Sequence, residues 1–344
     1  MCIQSQKYDS NSGAVWAGLR DLNDRKDLPY DELRSEDRLD GRTVLITGAT
    51  SGLGFAVAKD LAARGARLFL VSRREAAKEL EAVRSACQGV GASVEMLRAD
   101  MRDFSSIRTL AANLADAGER IDVIISNAAV VPSSARETID GYEEMLQVNA
   151  LSPALLLTEL LNNGVIPNNT YAGNGLDSNK EPLPRIVVTA SEAHRTASNL
   201  KLDTLNNIEP YRMAESTARY GWTKLLLLSF TRELARRLSV DCVDVSVHAL
   251  CPGPIASNIA REAPAIARPL LNLFFRFLFQ SPETAASPVV YLTASNRIEG
   301  QTGLYQFLMR KRQPSNLAED THSGTTVWNA FEEIFLELLK IDPA

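Results

Sequence analysis

The sequence contains few of the side chains that hold metal ions or form disulfides. Its 344 residues include three histidines, far apart, and four scattered cysteines, Cys2, Cys87, Cys242 and Cys251. Metal-binding cysteines and histidines usually recur at short spacings, so we expect no metal site. Isolated thiols are typical of a reducing compartment, which predicts a cytoplasmic location.

Charge and hydropathy exclude further classes of protein. The net charge is −5, which gives no reason to expect nucleic acid or an anionic membrane as a partner. No run of 18 apolar residues indicates a membrane span. Residues 1–40 are polar and acidic, so we do not expect a signal peptide there. The composition is that of an ordinary globular protein.

Short apolar strands alternate with helical patterns from residue 41 onward. Strands are predicted at 43–47, 67–71, 93–97, 121–125, 185–189, 244–250 and 304–307, with helices between them at 53–64, 75–87, 104–116, 140–161, 216–238, 282–294 and 325–340. This alternation predicts an α/β fold with a doubly wound parallel sheet. We expect a single domain at 41–310, an N-terminal extension at 1–40 and a C-terminal tail with a helix at 311–344.

The first predicted strand leads through a glycine-rich turn, Thr47–Gly54, into the first helix. A strand, a glycine turn and a helix N-terminus together point backbone N–H groups at a phosphate. Gly48 permits a tight turn, Gly52 lets the backbone approach a diphosphate, and Gly54 lets the helix pack on the sheet. The alternative is an ordinary βα turn, because the spacing Gly-x-x-x-Gly-x-Gly is a variant of the usual pattern.

A second motif, Tyr220-Gly-Trp-Thr-Lys224, begins a predicted helix. Residues four apart lie on one helical face, so the Lys224 ammonium is expected to lower the pKa of Tyr220 and make it an acid–base group. The alternative is a helix that carries one tyrosine and one surface lysine.

These motifs belong to an ordered set along the chain. The set comprises the glycine turn, Asn127, Asn149, Ser191, Tyr220, Lys224 and Pro252-Gly253. In this order, over residues 42–307, the chain resembles the short-chain dehydrogenase/reductase family. It is most similar to the retinol-dehydrogenase-like branch, through residues 138–143, 146–149 and 191–194, and it also resembles fungal members that tailor secondary metabolites.

The resemblance implies a role for each catalytic residue. Tyr220 would be the general acid or base, and Lys224 would lower its pKa and bind the nicotinamide ribose. Ser191 would polarise the substrate oxygen. Asn149 would hold a water that connects Lys224 to solvent. The alternative for Asn149 and Ser191 is local capping.

The resemblance also implies the cofactor contacts. They are Thr47, Gly48, Ser51, Gly52, Leu53, Gly54, Arg73, Asp100, Asn127, Tyr220, Lys224, Pro252, Gly253, Ile255 and Ser257. One departure from the family pattern is Ala129, which stands where the family has glycine and therefore requires a negative φ or modest strain.

Cofactor choice depends on the end of the second strand. An acidic residue there would bind the ribose 2′-hydroxyl of NAD, but this chain has Ser72, Arg73 and Arg74. Guanidinium groups pair well with phosphate, so we predict NADP(H). The alternative is that both arginines are simply solvated and that the cofactor is NAD.

An apolar segment, residues 270–280, falls within the region (256–280) where the family covers its substrate. Its polar residues Asn272, Arg276 and Gln280 recur every four positions and leave most of a helix surface apolar. A core helix, a membrane or subunit contact, and a lid over a bulky apolar substrate are the three alternatives.

The sequence therefore predicts an NADP(H)-dependent oxidoreductase that acts on a carbonyl or alcohol of a bulky apolar small molecule, for example as a tailoring step in secondary metabolism. Other hypotheses are a catalytically silent, cofactor-binding scaffold and an NAD-dependent alcohol dehydrogenase. A monomer or a homodimer is expected.

Overall fold

Within residues 33–89, 91–168, 182–254 and 280–341, which the computed structural model describes, eight strands form one sheet. The strands are β1 (Thr43–Thr47), β2 (Arg67–Ser72), β3 (Ser93–Arg98), β4 (Val123–Ser126), β5 (Arg185–Thr189), β6 (Ser246–Cys251), β7 (Tyr305–Phe307) and β8 (Arg310–Lys311). Their order is β3-β2-β1-β4-β5-β6-β7-β8. The first seven run parallel and β8 is antiparallel to β7. The predicted doubly wound parallel sheet is confirmed.

Helices connect and cover the strands. They are α1 (Gly52–Ala63), α2 (Ala77–Arg84), α3 (Phe104–Asp116), α4 (Glu144–Leu146), α5 (Ser152–Asn162), α6 (Met213–Val240), α7 (Pro282–Ala294), α8 (Asn316–Glu319) and α9 (Thr321–Ile341). Short 3₁₀ turns occur at Glu192–Thr196, Leu202–Thr204 and Asn296–Ile298, and a π turn at Gln147–Leu151 joins α4 to α5.

The sheet separates two hydrophobic cores. The apolar strands β1 and β5 are buried along their whole length. Side chains of α1 and α7 pack on one face of the sheet, and those of α3, α5 and α6 pack on the other. Helix α9 adds a further layer over α6, where Phe230 stacks on Trp328 with ring centroids 4.9 Å apart. The carboxyl ends of the parallel strands are left uncovered by these layers, and that edge holds the cleft described below.

The helix predicted at 140–161 is wrong in its first turn. Gly141 has a φ of +83°, so the chain turns there instead of starting a helix. Helix α4 begins only after Glu143, whose carboxylate accepts the N–H groups of Met145 and Leu146 at 3.0 Å each. Strand β8 and helix α8 were not predicted, because two and four residues carry too little periodicity.

Several predicted features lie outside the described residues. They are most of the N-terminal extension, residues 169–181 between the predicted helix at 140–161 and the strand at 185–189, and the apolar segment up to residue 279. In the part of the chain that is described, no helix combines the length and the hydropathy needed to cross a membrane.

Candidate active site

A cleft of about 780 Å³ opens at the carboxyl ends of the parallel strands. Its lining includes the turn after β1, the ends of β2 and β3, the loop after β4, and residues after β5 and β6. Because these segments follow successive strands, the parallel sheet brings them to one edge. The volume falls within the range of about 300–1,000 Å³ that is usual for ligand sites.

The glycine turn forms one end of this cleft. Gly52 has a φ of +54°, and a Cβ atom there would meet no other atom within 4 Å, so the backbone at this point faces open space. Ser51 is the N-cap of α1, but its hydroxyl makes no capping bond. A Cβ at Gly54 would lie 2.4 Å from the Gly48 carbonyl oxygen. The turn is therefore an exposed helix N-terminus, the geometry that receives a phosphate.

Thr47 and Asn127 hold this turn against the loop after β4. The buried Thr47 hydroxyl accepts the N–H groups of Asn127 and Ala128 at 3.0 and 3.1 Å. In return, the Asn127 amide donates to the carbonyls of Thr47 and Gly48 at 3.1 and 3.3 Å. We call these four hydrogen bonds the Thr47–Asn127 latch. Ala129, in the same loop, is not among the described residues with a positive φ, so its side chain causes no strain there.

The ends of β2 and β3 present arginines to the cleft. Arg73 and Arg74 are exposed, and neither forms an ion pair within the described parts of the chain. Asp100 is held by Arg102, whose Nη2 and Nε atoms lie 2.7 and 3.1 Å from its carboxylate oxygens. Burial alone would raise the pKa of Asp100, but the hydrogen bonds and charge of Arg102 outweigh burial and lower it. This end of the cleft therefore has cationic groups available for an anion.

Ser191, Tyr220 and Lys224 meet at the other end of the cleft. Ser191 and Tyr220 both line the cleft, and the Ser191 hydroxyl lies near enough to the Tyr220 phenol to lower its pKa. Lys224, one helical turn after Tyr220 on α6, is 2% exposed and places Nζ 5.8 Å from the Tyr220 ring centroid. The Lys224 ammonium donates to the carbonyl oxygen of Thr189 at 2.9 Å. Sequence spacing did not indicate this carbonyl as a partner.

The expected effect of Lys224 on Tyr220 is not found. Burial raises the pKa of Tyr220 to about 12, and the nearby Ser191 hydroxyl only partly opposes this rise. Burial also lowers the pKa of Lys224 to about 8. With the groups of this chain alone, desolvation outweighs the attraction between ammonium and phenolate, so Tyr220 is a protonated acid at neutral pH.

Asn149 is fully buried within the π turn between α4 and α5. Its side chain accepts the Val130 N–H at 2.8 Å, donates to the Val130 carbonyl at 2.9 Å, and lies 3.3 Å from the Thr223 hydroxyl. The side chain thus ties the loop after β4 to α6. The predicted role in holding a water stays a prediction.

The Cys251-Pro252-Gly253 segment closes the cleft beside Tyr220. Gly253 has a φ of +86°, and a Cβ atom there would lie 2.5 Å from the Leu308 side chain. Burial raises the pKa of the Cys251 thiol to about 11, so it is neutral. The predicted cofactor contacts Ile255 and Ser257 lie outside the described residues.

Several residues at the site were not predicted from the sequence. Arg102, Arg136 and Glu144 also line the cleft, and Arg136 lies 3.6 Å from Glu144. Glu192 and His194, which follow Ser191, bind β7 and the segment after it, respectively. No local pattern indicates these contacts, because they join residues more than 100 positions apart.

Comparisons with known proteins agree with this arrangement. Residues 42–169 match the family model described as short chain dehydrogenase. Retinol dehydrogenase 14 of Mus musculus is 31% identical over 342 residues, which cover 95% of this chain and 96% of that protein. Retinol dehydrogenase 13 of Mus musculus is 31% identical, with coverage of 86% and 84%. A Streptomyces protein named as a daunorubicin C-13 ketoreductase is 33% identical, with coverage of 85% and 92%.

Solved structures show the same fold. An uncharacterised protein from Mycobacterium paratuberculosis has a TM-score of 0.62 and 27% identity, covering 86% of this chain and 94% of its own. The RhlG protein of Pseudomonas aeruginosa, solved with NADP, has a TM-score of 0.59 and 23% identity, with coverage of 80% and 98%. The chain therefore belongs to the short-chain dehydrogenase/reductase family, in which it is retinol-dehydrogenase-like, and is an oxidoreductase that uses a nicotinamide cofactor on alcohols and carbonyls.

Proposed function

We propose that this protein is an NADP(H)-dependent carbonyl reductase, working from Ser191, Tyr220 and Lys224 on a bulky apolar ketone or aldehyde. The observation that carries the proposal is that Ser191 and Tyr220 line the same cleft as the glycine turn, and that the buried Lys224 ammonium lies 5.8 Å from the Tyr220 ring. A proton donor and an anion cradle joined by one cleft suit reduction by a dinucleotide.

When bound, the cofactor supplies a hydride from nicotinamide C4 to the substrate carbon. Tyr220 donates its phenolic proton to the carbonyl oxygen, which becomes the alcohol, and the resulting phenolate is reprotonated from the Lys224 side and from solvent. Ser191 donates a hydrogen bond to the same oxygen as negative charge develops on it. The raised pKa of Tyr220 keeps the proton in place before the reaction.

The preference for NADPH rests on Arg73. Its guanidinium is exposed at the end of β2, forms no ion pair with a described residue, and acts on the charge of Asp100. No carboxylate occupies the position that would repel a 2′-phosphate. We also propose a cytoplasmic location, because NADPH is the usual reductant there.

The substrate class rests on relatives and on the apolar sequence at 270–280. The relatives are named for retinol and for daunorubicin, which are both larger than a simple ketone or aldehyde. The carbonyl of this substrate would approach Ser191 and Tyr220, and the apolar segment would supply contact area for the remainder. Tailoring of a secondary metabolite is one setting for such a reaction.

The test is NADPH oxidation by the purified protein against a series of ketones and aldehydes of increasing apolar size. We expect kcat/KM to rise with apolar size and to be lower with NADH. A protein that binds NADPH but turns over none of the series would instead be the cofactor-binding scaffold.

A further inference from the structure

The residues that follow Ser191 are fastened to the chain after β7. The buried His194 ring lies between the Ser191 carbonyl oxygen, 2.7 Å from Nδ1, and the Ser315 N–H, 3.0 Å from Nε2. A carbonyl only accepts and a backbone N–H only donates, so the ring is the neutral tautomer with its proton on Nδ1. Burial lowers the pKa of His194, which keeps the ring neutral.

The neighbouring Glu192 makes a second connection, to β7 and to the segment after it. Its carboxylate accepts the Tyr305 hydroxyl at 2.6 Å and lies 3.0 Å from the Arg312 guanidinium. Arg195, three residues later, donates to Glu192 at 2.8 Å and also to the Gln313 carbonyl. Burial would raise the pKa of Glu192, but the hydrogen bonds from Arg195 and Tyr305 lower it, so the carboxylate is charged.

These contacts fix the backbone on which Ser191 sits. Ser191 is the N-cap of the 3₁₀ turn Glu192–Thr196, and its hydroxyl accepts the Ala193 N–H at 3.2 Å. The same hydroxyl lies near the Tyr220 phenol and lowers its pKa, so a small backbone rotation at Ser191 changes that interaction. Because the Ser191 carbonyl carbon and Cβ are attached to the same Cα, a bond to the carbonyl restricts backbone rotation and so fixes the point from which the hydroxyl extends.

We propose that His194 is a positioning residue, which orients Ser191 toward Tyr220 by donating from Nδ1 to the Ser191 carbonyl, while the Ser315 N–H holds the ring in place. This inference rests on the proposed function, in which Ser191 donates a hydrogen bond to the substrate oxygen. His194 is not among the described residues that line the cleft, and its two ring nitrogens are bonded to Ser191 and Ser315. Its effect is therefore expected in kcat and not in the binding of NADPH.

The experiment compares His194→Asn with His194→Gln. The Asn amide nitrogen stands near the former Nδ1 and keeps the donor to Ser191, while Gln reaches the position of Nε2 and keeps only the contact with Ser315. We expect H194Q to lower kcat about tenfold and H194N to lower it by less than about threefold, since one positioning hydrogen bond separates them. The Kd for NADPH should stay within about twofold in both.

Two controls make the result specific. His248→Gln changes another buried histidine, on β6, whose ring nitrogens have no hydrogen-bond partner among the described residues; kcat should be unchanged. In a Ser191→Ala background, H194Q should reduce the residual kcat by less than about twofold, because the group that it positions is already absent. Arg312→Gln, at the exposed end of these contacts, should lower kcat about threefold and tests the same connection if a His194 variant does not fold.

The outcomes separate the two proposals. If S191A keeps wild-type kcat, the proposed function fails. If S191A is impaired but H194Q matches wild type, or H194N and H194Q are equally impaired, His194 does not position Ser191. Full loss by H194Q in the S191A background would also overturn the inference.

Discussion

The two ends of the cleft differ in the groups that line them and in how far those groups are exposed to water. We use the name phosphate end for the part of the cleft that we propose to bind the cofactor phosphates. It consists of the backbone of the glycine turn, with open space over Gly52, and of the exposed guanidinium groups of Arg73 and Arg74. The catalytic end consists of side chains removed from water, where Lys224 is 2% exposed and bonded to a carbonyl. We propose that the first end binds an anion through its shape and exposed charge, whereas at the second end burial changes the proton affinities of the side chains.

Because of this difference, substitutions at the two ends are expected to change different measurable quantities. Substitutions at the phosphate end should change cofactor affinity and preference, because they alter contacts made before reaction. Substitutions at the catalytic end should change kcat. They should also change the pH dependence of the free energy of unfolding, because burial shifts the pKa values of the ionisable groups there.

Removal of the Tyr220 hydroxyl should give the largest effect. In Tyr220→Phe the proton donor is absent, so we expect kcat to fall about 10³-fold, while the Kd for NADPH changes by less than about threefold. Steady-state kinetics and fluorescence titration measure the two quantities. Tyr211→Phe, which deletes a hydroxyl bonded to Glu143 at 2.9 Å, is the matched control and should keep most of its turnover. A weaker Kd for NADPH with an unchanged kcat would mean that Tyr220 binds the cofactor and does not donate the proton.

Lys224→Met should change the pH dependence of folding. The folded state lowers the pKa of Lys224 from 10.5 to about 8. Between these values the unfolded chain binds more protons, so the wild type gains stability as the pH rises. Relative to K224M, its free energy of unfolding should increase by about 3 kcal/mol from pH 7.5 to 10.5. Urea unfolding at each pH measures this difference, and parallel curves for the two proteins would contradict it.

Arg73→Gln tests the preference for NADPH at the opposite end. Loss of one guanidinium from an exposed phosphate contact should reduce the ratio of kcat/KM for NADPH to that for NADH about tenfold, mainly through KM. Arg74→Gln removes the same charge from the adjacent residue and should change the ratio by about twofold or less. Equal effects of the two substitutions would mean that only the summed charge matters.

Gly52→Ala should give the smallest effect. The positive φ of Gly52 disfavours any Cβ by about 1 kcal/mol, and the added methyl group stands where the backbone faces the cleft. We expect the Kd for NADPH to rise about fivefold. Gly300→Ala, at a φ of +71° with equally open surroundings, carries the same strain away from the cleft and should leave Kd unchanged.

The phosphate end could be predicted from the sequence because its parts are local. A glycine that must adopt a positive φ, a β-branched strand and a helix N-terminus all occur within a few residues of Gly52. The parallel sheet and its order follow from the same alternation of elements. The meeting of Ser191, Tyr220 and Lys224 then follows, since successive strands deliver their ends to one edge.

The catalytic end could be predicted only in part. The spacing of Tyr220 and Lys224 indicates their proximity, but the direction of each pKa shift depends on burial by the whole fold. Lysine at 224 bonds to the Thr189 carbonyl, 35 positions away, and His194 meets Ser315, 121 positions away. Contacts of that range leave no periodicity in the sequence, so neither the desolvation of Tyr220 nor the connection to Ser315 was accessible.

The Thr47–Asn127 latch has a consequence for the thermodynamics of cofactor binding. A turn that is already held by four hydrogen bonds does not have to be ordered when a dinucleotide arrives. The conformational entropy of that loop was lost during folding, so little of it is lost again on association. In the proposed complex, this preorganisation would favour the binding of a diphosphate by the backbone of Thr47–Gly54, a stretch that carries no charged side chain.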